Sequence, residues 1–127
     1  VISDFRRIIF NGDLLTFADF NLEHERCLSF LKDAVSCSRV RRKIVVTHHV
    51  PSFQMQCPKF ADSQANGAFT VELEEYIKNS GIDYWIFGHS HYNVDVKIGN
   101  TNCVSNQLGY VFHGEHESFN SGKYIEV

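Results

Sequence analysis

The alternation of apolar and polar positions first predicts a hairpin and a helix. Apolar, β-prone runs at 6–10 and 14–17 flank the dipeptide Asn11-Gly12, which favours the type I′ turn of a tight hairpin. From Asn21 the pattern changes, and apolar residues recur at spacings of three and four to about Ser36. This periodicity predicts an amphipathic helix with Asn21 as its N-cap.

The middle of the chain predicts a βαβ unit. The continuous β-branched run at 43–47 is typical of a central strand that is covered on both faces. Residues 52–67 have no clear period and predict a long loop, of the kind often found at the mouth of a site. A second helix is expected from a cap at Thr70 to a terminating Gly81, followed by a buried strand at 84–87, with a right-handed crossover.

The last third predicts antiparallel structure. Residues 94–98 alternate between apolar and polar, Gly99-Asn100 is typical of a turn, and residues 101–105 are expected to form the returning strand of a hairpin. Residues 123–127 are expected to form a last short strand. Together with the βαβ unit, this order predicts the α/β class with α+β-like mixed sheets. The length of 127 residues corresponds to one domain.

Charge and aromatic content limit the expected partners. The formal net charge is −3, and the one basic cluster is Arg39–Lys43, which is expected to be a solvated approach to the next strand. This balance argues against nucleic acid as the main ligand. Eleven Phe and five Tyr predict an aromatic-rich core, or a surface that packs on something else.

Membrane and disulfide chemistry are both disfavoured. No apolar run approaches the roughly 20 residues that span a bilayer, so no membrane partner is expected. The four cysteines are widely spaced and contain no C-x-x-C pair: Cys27, Cys37, Cys57 and Cys103. They are expected to be reduced, which suits a cytoplasmic location.

Histidines follow two of the predicted strands. The strand at 43–47 runs into His48-His49, and the strand at 84–87 runs into Gly88-His89-Ser90-His91. Parallel strands of a βαβ unit gather their ligands at their carboxyl ends, and Gly88 is expected to provide the backbone turn that lets the imidazoles converge. Neutral imidazole suits Zn, Fe, Ni and Cu, so a metal site is predicted. The alternative is a set of structural histidines with ordinary hydrogen bonds.

These residues resemble a known family. Val45–Pro51, with its T-H-H-x-P pattern, and Gly88–His91, with G-H-x-H, are similar to the last two signature blocks of the calcineurin-like metallophosphoesterases. Leu28–Leu31 fits the helix before the first block, and Asn106–Tyr110 resembles the N-P-x-G-Y segment that follows the second. The resemblance implies an αββα sandwich that hydrolyses phosphoesters.

The resemblance also implies the ligand set. In that family two divalent transition metals (Mn, Fe or Zn) activate the nucleophile and clamp the phosphoryl oxygens. His48 and His89 match the ligands of one metal, and His91 matches a ligand of the other. His49 matches a neighbour that is usually not a ligand, and we assign it to substrate binding. No catalytic acid or base is assigned.

The earlier blocks of the family, written D-x-H, G-D-x-x-D and G-N-H-[DE], are not complete in this sequence. Gly12-Asp13 lacks the second aspartate, and the hairpin turn explains it better. Residues 1–127 are therefore expected to be the C-terminal half of the domain, lacking the N-terminal metal-ligand blocks and inactive in isolation.

Two alternatives stay open. One is a truncated, non-catalytic module that folds and self-associates, with a homodimer partner or the missing N-terminal half covering its exposed sheet face. The other is a mononuclear zinc site built from His48, His89 and His91.

Overall fold

The computed structural model describes residues 3–63 and 65–127. The chain forms two compact units that divide after Arg39. The first contains helix α1 (Asp4–Arg7), strand β1 (Ile9–Phe10), strand β2 (Asp13–Leu14) and helix α2 (Phe17–Cys37). No helix among the described residues has both the length and the apolar character needed to span a membrane.

The predicted hairpin is confirmed at its turn, but its strands are shorter than the predicted runs, because Arg6 and Arg7 lie in α1 and Phe17 begins α2. β1 and β2 pair antiparallel, with Phe10 opposite Asp13. Asn11 and Gly12 both have positive φ, at 53° and 96°, as both central residues of a type I′ turn require. Asp13 lies in β2, directly after this turn.

Helix α2 starts earlier than the predicted N-cap at Asn21. Its N-cap is Thr16, whose hydroxyl accepts a hydrogen bond from the Asp19 backbone N–H at 3.2 Å. The Asp19 carboxylate in turn accepts from the Thr16 N–H at 3.0 Å, completing a capping box. Asn21 lies inside the helix and not at its start, so the predicted N-cap was wrong. The end, at Cys37, lies one residue beyond the prediction.

The second unit is built on a four-stranded sheet. Its strands are β3 (Ile44–Val46), β4 (Tyr84–Phe87), β5 (Asp95–Ile98) and β6 (Thr101–Ser105), with helix α3 (Glu74–Asn79) between β3 and β4. The strand order is β3-β4-β6-β5. β4 is parallel to both β3 and β6, while β5 and β6 form the predicted antiparallel hairpin. The mixed α/β class is confirmed.

The core of this unit surrounds β4. Trp85 is fully buried, and Asp83 fastens the start of β4 to that of β3. One Asp83 carboxylate oxygen accepts from the Lys43 N–H at 2.8 Å, and the other from Arg42 Nη1 at 2.7 Å. These hydrogen bonds set the parallel register in which Ile44 lies opposite Tyr84.

β3 is not the central strand that its composition predicted. It lies at the edge of the sheet, and Ile44 and Val46 are 44% and 70% exposed. A continuous β-branched run reports strand propensity, but it does not say which strands will pair beside it. The prediction of two covered faces was therefore wrong.

Three other predicted elements differ. Within 52–67 the chain forms short 3-10 helices, at Phe53–Met55 and Pro58–Phe60, with a further one at Asn66–Ala68. Thr70 does not cap α3, because it forms an isolated parallel bridge with Val50; the helix starts four residues later, although Gly81 ends it with a φ of 67° as expected. Residues 123–127 form no strand.

Candidate metal centre

The tips of β3 and β4 bring His48 and His89 together. Each histidine follows its strand by two residues, and the two strands are parallel neighbours. The Gly88 N–H donates to the His48 carbonyl at 3.1 Å, which ties the two loops together. His48 Nε2 and His89 Nδ1 lie 2.8 Å apart. The structure thus joins two of the predicted ligands.

His49 belongs to the same group of rings. Its ring centroid lies 5.3 Å from that of His48 and 4.7 Å from that of His89. Phe69 covers His89 from another side, with ring centroids 4.6 Å apart. Adjacent residues on a strand would point in opposite directions. The two histidines can both face His89 because β3 has already ended at Val46.

The backbone turn at the second block lies at the histidines and not at the glycine. His89 and His91 have positive φ, at 69° and 50°, whereas Gly88 does not. A Cβ on Gly88 would meet the His48 carbonyl at 3.5 Å, which is ordinary contact. The predicted role of Gly88 as the turning residue was wrong. Left-handed conformations cost a non-glycine residue about 1–3 kcal/mol, and such residues cluster at functional sites.

The loop that carries His48 and His49 is linked to the core through Trp85. Its indole N–H donates to the Thr47 hydroxyl at 2.9 Å, and that hydroxyl donates to the His49 carbonyl at 3.0 Å. Trp85 is fully buried, so this chain of hydrogen bonds connects the core of the sheet to the backbone that carries His48 and His49.

His91 stands in a different environment. Its Nδ1 lies 2.8 Å from Glu115 Oε2, and its ring makes an edge contact with Tyr110 at 4.7 Å between centroids. Its backbone N–H donates to Gln107 Oε1 at 2.8 Å. The Gln107 amide also donates to the Tyr92 carbonyl at 3.0 Å, so one side chain braces the positive-φ loop.

Glu115 is held as a carboxylate. The Tyr110 backbone N–H donates to its Oε2 at 2.6 Å. This hydrogen bond is the main reason that the pKa of Glu115 lies below its ordinary value, and the bond to His91 adds to it. Glu115 is therefore ionised at neutral pH.

The first pair of histidines offers two nitrogen donors of the kind that transition metals take. Two imidazole nitrogens that share one metal at about 2.0–2.1 Å lie about 2.9–3.4 Å apart. The 2.8 Å between His48 Nε2 and His89 Nδ1 lies just below that range and is also a hydrogen-bond distance. The same pair therefore also fits the alternative of structural histidines joined by an ordinary hydrogen bond. His91 keeps Nε2 as its available nitrogen, since Nδ1 is bonded to Glu115.

The set is small. Among residues 3–63 and 65–127, no group of three or more His, Cys, Asp or Glu side chains is close enough to hold one ion. The arrangement therefore gives no support to a single zinc bound by His48, His89 and His91. The assignment of these residues as metal ligands, and of His49 to substrate, stays a prediction.

Sequence reasoning missed three neighbours of the histidines: Phe69, Gln107 and Glu115. Gln107 lies in the segment that resembles N-P-x-G-Y, but nothing in that pattern indicates a bond to the His91 backbone. Glu115 is 24 residues from His91, in a segment with no periodicity. A contact at that separation leaves no spacing signal in a single sequence.

The fold and the site define a class of protein. Imidazoles at the tips of parallel strands in a mixed α/β sheet form the kind of edge where α/β proteins bind ligands, with nitrogen donors that suit a transition metal. The sequence profile described as calcineurin-like phosphoesterase matches residues 5–93, which is more than half of the chain. The protein belongs to the calcineurin-like phosphoesterase family, a family of metallophosphoesterase-type hydrolases.

A viral protein is also similar. The chain is 28% identical over 120 residues to the uncharacterized protein L509 of Acanthamoeba polyphaga mimivirus, an alignment that covers 89% of this chain and 41% of the viral protein. The chain thus spans about two fifths of that relative's length. No solved structure matches the chain significantly.

Proposed function

We propose that this chain supplies the histidine side of a dinuclear metal centre that hydrolyses phosphoesters. His48 and His89 would bind one divalent transition metal (Mn, Fe or Zn), and His91 would bind the second. The observation that carries the proposal is the 2.8 Å between His48 Nε2 and His89 Nδ1 at the tips of adjacent parallel strands. His49, whose ring packs on both, is proposed to face the substrate.

In this proposal the metals supply the reactive chemistry, and the residues of this chain hold and orient the ligands. When bound, a metal pair supplies a nucleophile at neutral pH and neutralises charge on the phosphoryl oxygens. The chain's own residues orient the donors. The hydroxyl of Thr47 holds the loop of His48 and His49, while Gln107 holds the loop of His91.

We further propose that the remaining ligands belong to chain that precedes residue 1. Dinuclear sites of this family also use carboxylate and asparagine ligands, and the blocks that carry them are incomplete in this sequence. The shared region covers 41% of the mimivirus relative, which leaves room for such blocks in a longer protein. The isolated 127-residue chain is then expected to have negligible phosphatase or phosphodiesterase activity.

The test compares the 127-residue chain with a longer protein translated from the coding sequence upstream. Mn²⁺-dependent hydrolysis of a nitrophenyl phosphate ester is expected for the longer protein and not for the short chain. His89→Ala should abolish it, whereas His24→Ala, on helix α2, should not. Strong Mn²⁺-dependent turnover by the short chain, lost in His89→Ala, would contradict the divided site.

A second candidate is a non-catalytic module that self-associates. The observation that favours it is the edge strand β3, on which Ile44 and Val46 are exposed. An exposed apolar edge strand is a template for pairing with another chain. An upstream coding sequence without D-x-H and G-N-H blocks would favour this candidate over the enzyme.

A further inference from the structure

Glu115 and His91 form a hydrogen-bond contact that the ligand assignment does not use. Their Oε2 and Nδ1 atoms lie 2.8 Å apart, and each side chain is 32% exposed. An ionised carboxylate can only accept hydrogen bonds. The proton of the neutral His91 ring must then be on Nδ1, which leaves the lone pair on Nε2.

The carboxylate itself is fixed by its surroundings. Oε2 also accepts the Tyr110 N–H at 2.6 Å, so the side chain is oriented by the backbone. Gly109, at a φ of +64°, packs against it: a Cβ there would lie 2.6 Å from the Cβ of Glu115 and 3.2 Å from that of His91. Only a residue without a side chain lets the two approach so closely.

The backbone of His91 is fixed as well. Its φ of 50° is unfavourable for a residue with a side chain, and the hydrogen bond from its N–H to Gln107 holds it there. The ring is thus fixed at its backbone and at Nδ1. A carboxylate on the second nitrogen of a ligating imidazole is a common way to fix its tautomer and strengthen its donor.

We propose that Glu115 is a positioning residue, which holds His91 in the Nδ1–H tautomer and presents Nε2 to a metal ion. This inference rests on the proposed function, because it takes His91 to be a ligand. The same contact predicts the Nδ1–H tautomer of His91 in protein prepared without added metal.

The first readout is the tautomer of His91 in the metal-free 127-residue chain. Long-range ¹H–¹⁵N spectra of histidine-labelled protein at mildly alkaline pH distinguish Nδ1–H from Nε2–H, and His91→Ala assigns the signal. The wild-type ring is expected to be Nδ1–H. In Glu115→Ala it should shift towards Nε2–H, while Glu117→Ala, in the same short 3-10 helix (Glu115–Ser118), should leave it unchanged.

The second readout is a Zn²⁺ titration of the longer protein that includes the upstream coding sequence, followed at the His91 ring signals. Glu115→Ala should weaken the apparent affinity at this ring by about 10- to 100-fold, and Glu117→Ala should not. Glu115→Gln keeps the shape of the side chain and one acceptor oxygen, so it should lie between wild type and the alanine variant in both readouts.

The outcomes are separable. An unchanged tautomer in Glu115→Ala would overturn the inference; if that variant does not fold, a Glu115→Gln variant equal to wild type in both readouts would do so. If the tautomer shifts in Glu115→Ala but the His91 ring of the longer wild-type protein does not respond to Zn²⁺, the hold of Glu115 on the ring is supported. In that case the assignment of His91 as a metal ligand fails.

Discussion

At the scale of single residues, burial separates cysteines that the sequence could not distinguish. All four are free: Cys27 and Cys37 are exposed, Cys57 is half-buried and Cys103 is buried. Burial raises the pKa of Cys103 from 9.0 to about 11, because a thiolate is poorly solvated in the core. Only the thiolate is nucleophilic.

We therefore expect Cys103 to resist alkylation in the folded protein. At pH 8, the raised pKa alone should make its reaction with iodoacetamide about 100-fold slower than that of an ordinary thiol, and steric shielding should slow it further. Mass spectrometry after timed labelling measures this, with Cys27 as the internal standard and urea-unfolded protein as the control. Equal rates for Cys103 and Cys27 in the folded chain would show that the pKa is not raised.

Some contacts of the histidines could be predicted from the sequence, and others could not. Their identity and their place after two strands predicted a site at one edge, and His48 and His89 do meet there at 2.8 Å. The bond from His91 to Glu115 could not be predicted, because it depends on how the chain after β6 returns to the sheet.

At the scale of elements, the loop after β3 depends on one hydroxyl. Thr47→Val removes the acceptor of the buried Trp85 N–H, and an unsatisfied buried donor costs about 1–3 kcal/mol. The free energy of unfolding should fall by that amount in urea titrations followed by the fluorescence of Trp85, the only tryptophan.

Thr47→Ser is the matched control for that experiment. It keeps the hydroxyl and removes only a methyl group, so most of the stability should remain. If the valine and serine variants were equally stable, the hydrogen bond from Trp85 to Thr47 would contribute nothing measurable to the fold.

The pairing of β3 with β4 should depend on pH through Asp83. The Lys43 N–H, followed by the Arg42 guanidinium, lowers the pKa of Asp83 below its ordinary 3.8. A carboxyl whose pKa is lowered on folding stabilises the fold above its ordinary pKa, and that contribution is lost as the pH falls through the folded value. We expect Asp83→Asn to lower the urea midpoint at pH 7, with a difference from wild type that shrinks below pH 3.8.

Glu75→Gln is the control for Asp83. Glu75 is exposed, and its nearest approach to Lys78 is 3.8 Å, so it should contribute little at any pH. A difference between Asp83→Asn and wild type that stayed constant down to pH 2 would show that the carboxylate charge is not the stabilising feature.

At the scale of the whole molecule, the exposed edge of the sheet is the feature to test. If β3 pairs with a second copy, the wild-type chain should sediment as a species larger than one chain at micromolar concentration. Val46→Lys should restore the monomer, because a lysine on an edge strand opposes pairing. Val40→Lys changes another exposed valine, outside the strands, and should leave the association unchanged. A wild-type monomer would contradict self-association.

The sequence by itself determined the local features of this protein. The turn at Asn11-Gly12, the βαβ order, the hairpin of β5 and β6 and the histidines after two strands all follow from short-range patterns. The T-H-H-x-P and G-H-x-H blocks also indicated the family to which the chain belongs. Each of these depends on residues that are close in sequence.

Only the tertiary structure decided the rest. It placed β3 at the edge of the sheet and brought Glu115 to His91. It also showed that the positive-φ residues of the second histidine block are His89 and His91, where Gly88 was predicted. These features depend on which distant segments share hydrogen bonds and buried surface. Such pairings are selected by the free energy of the whole fold, and local propensity carries little information about them.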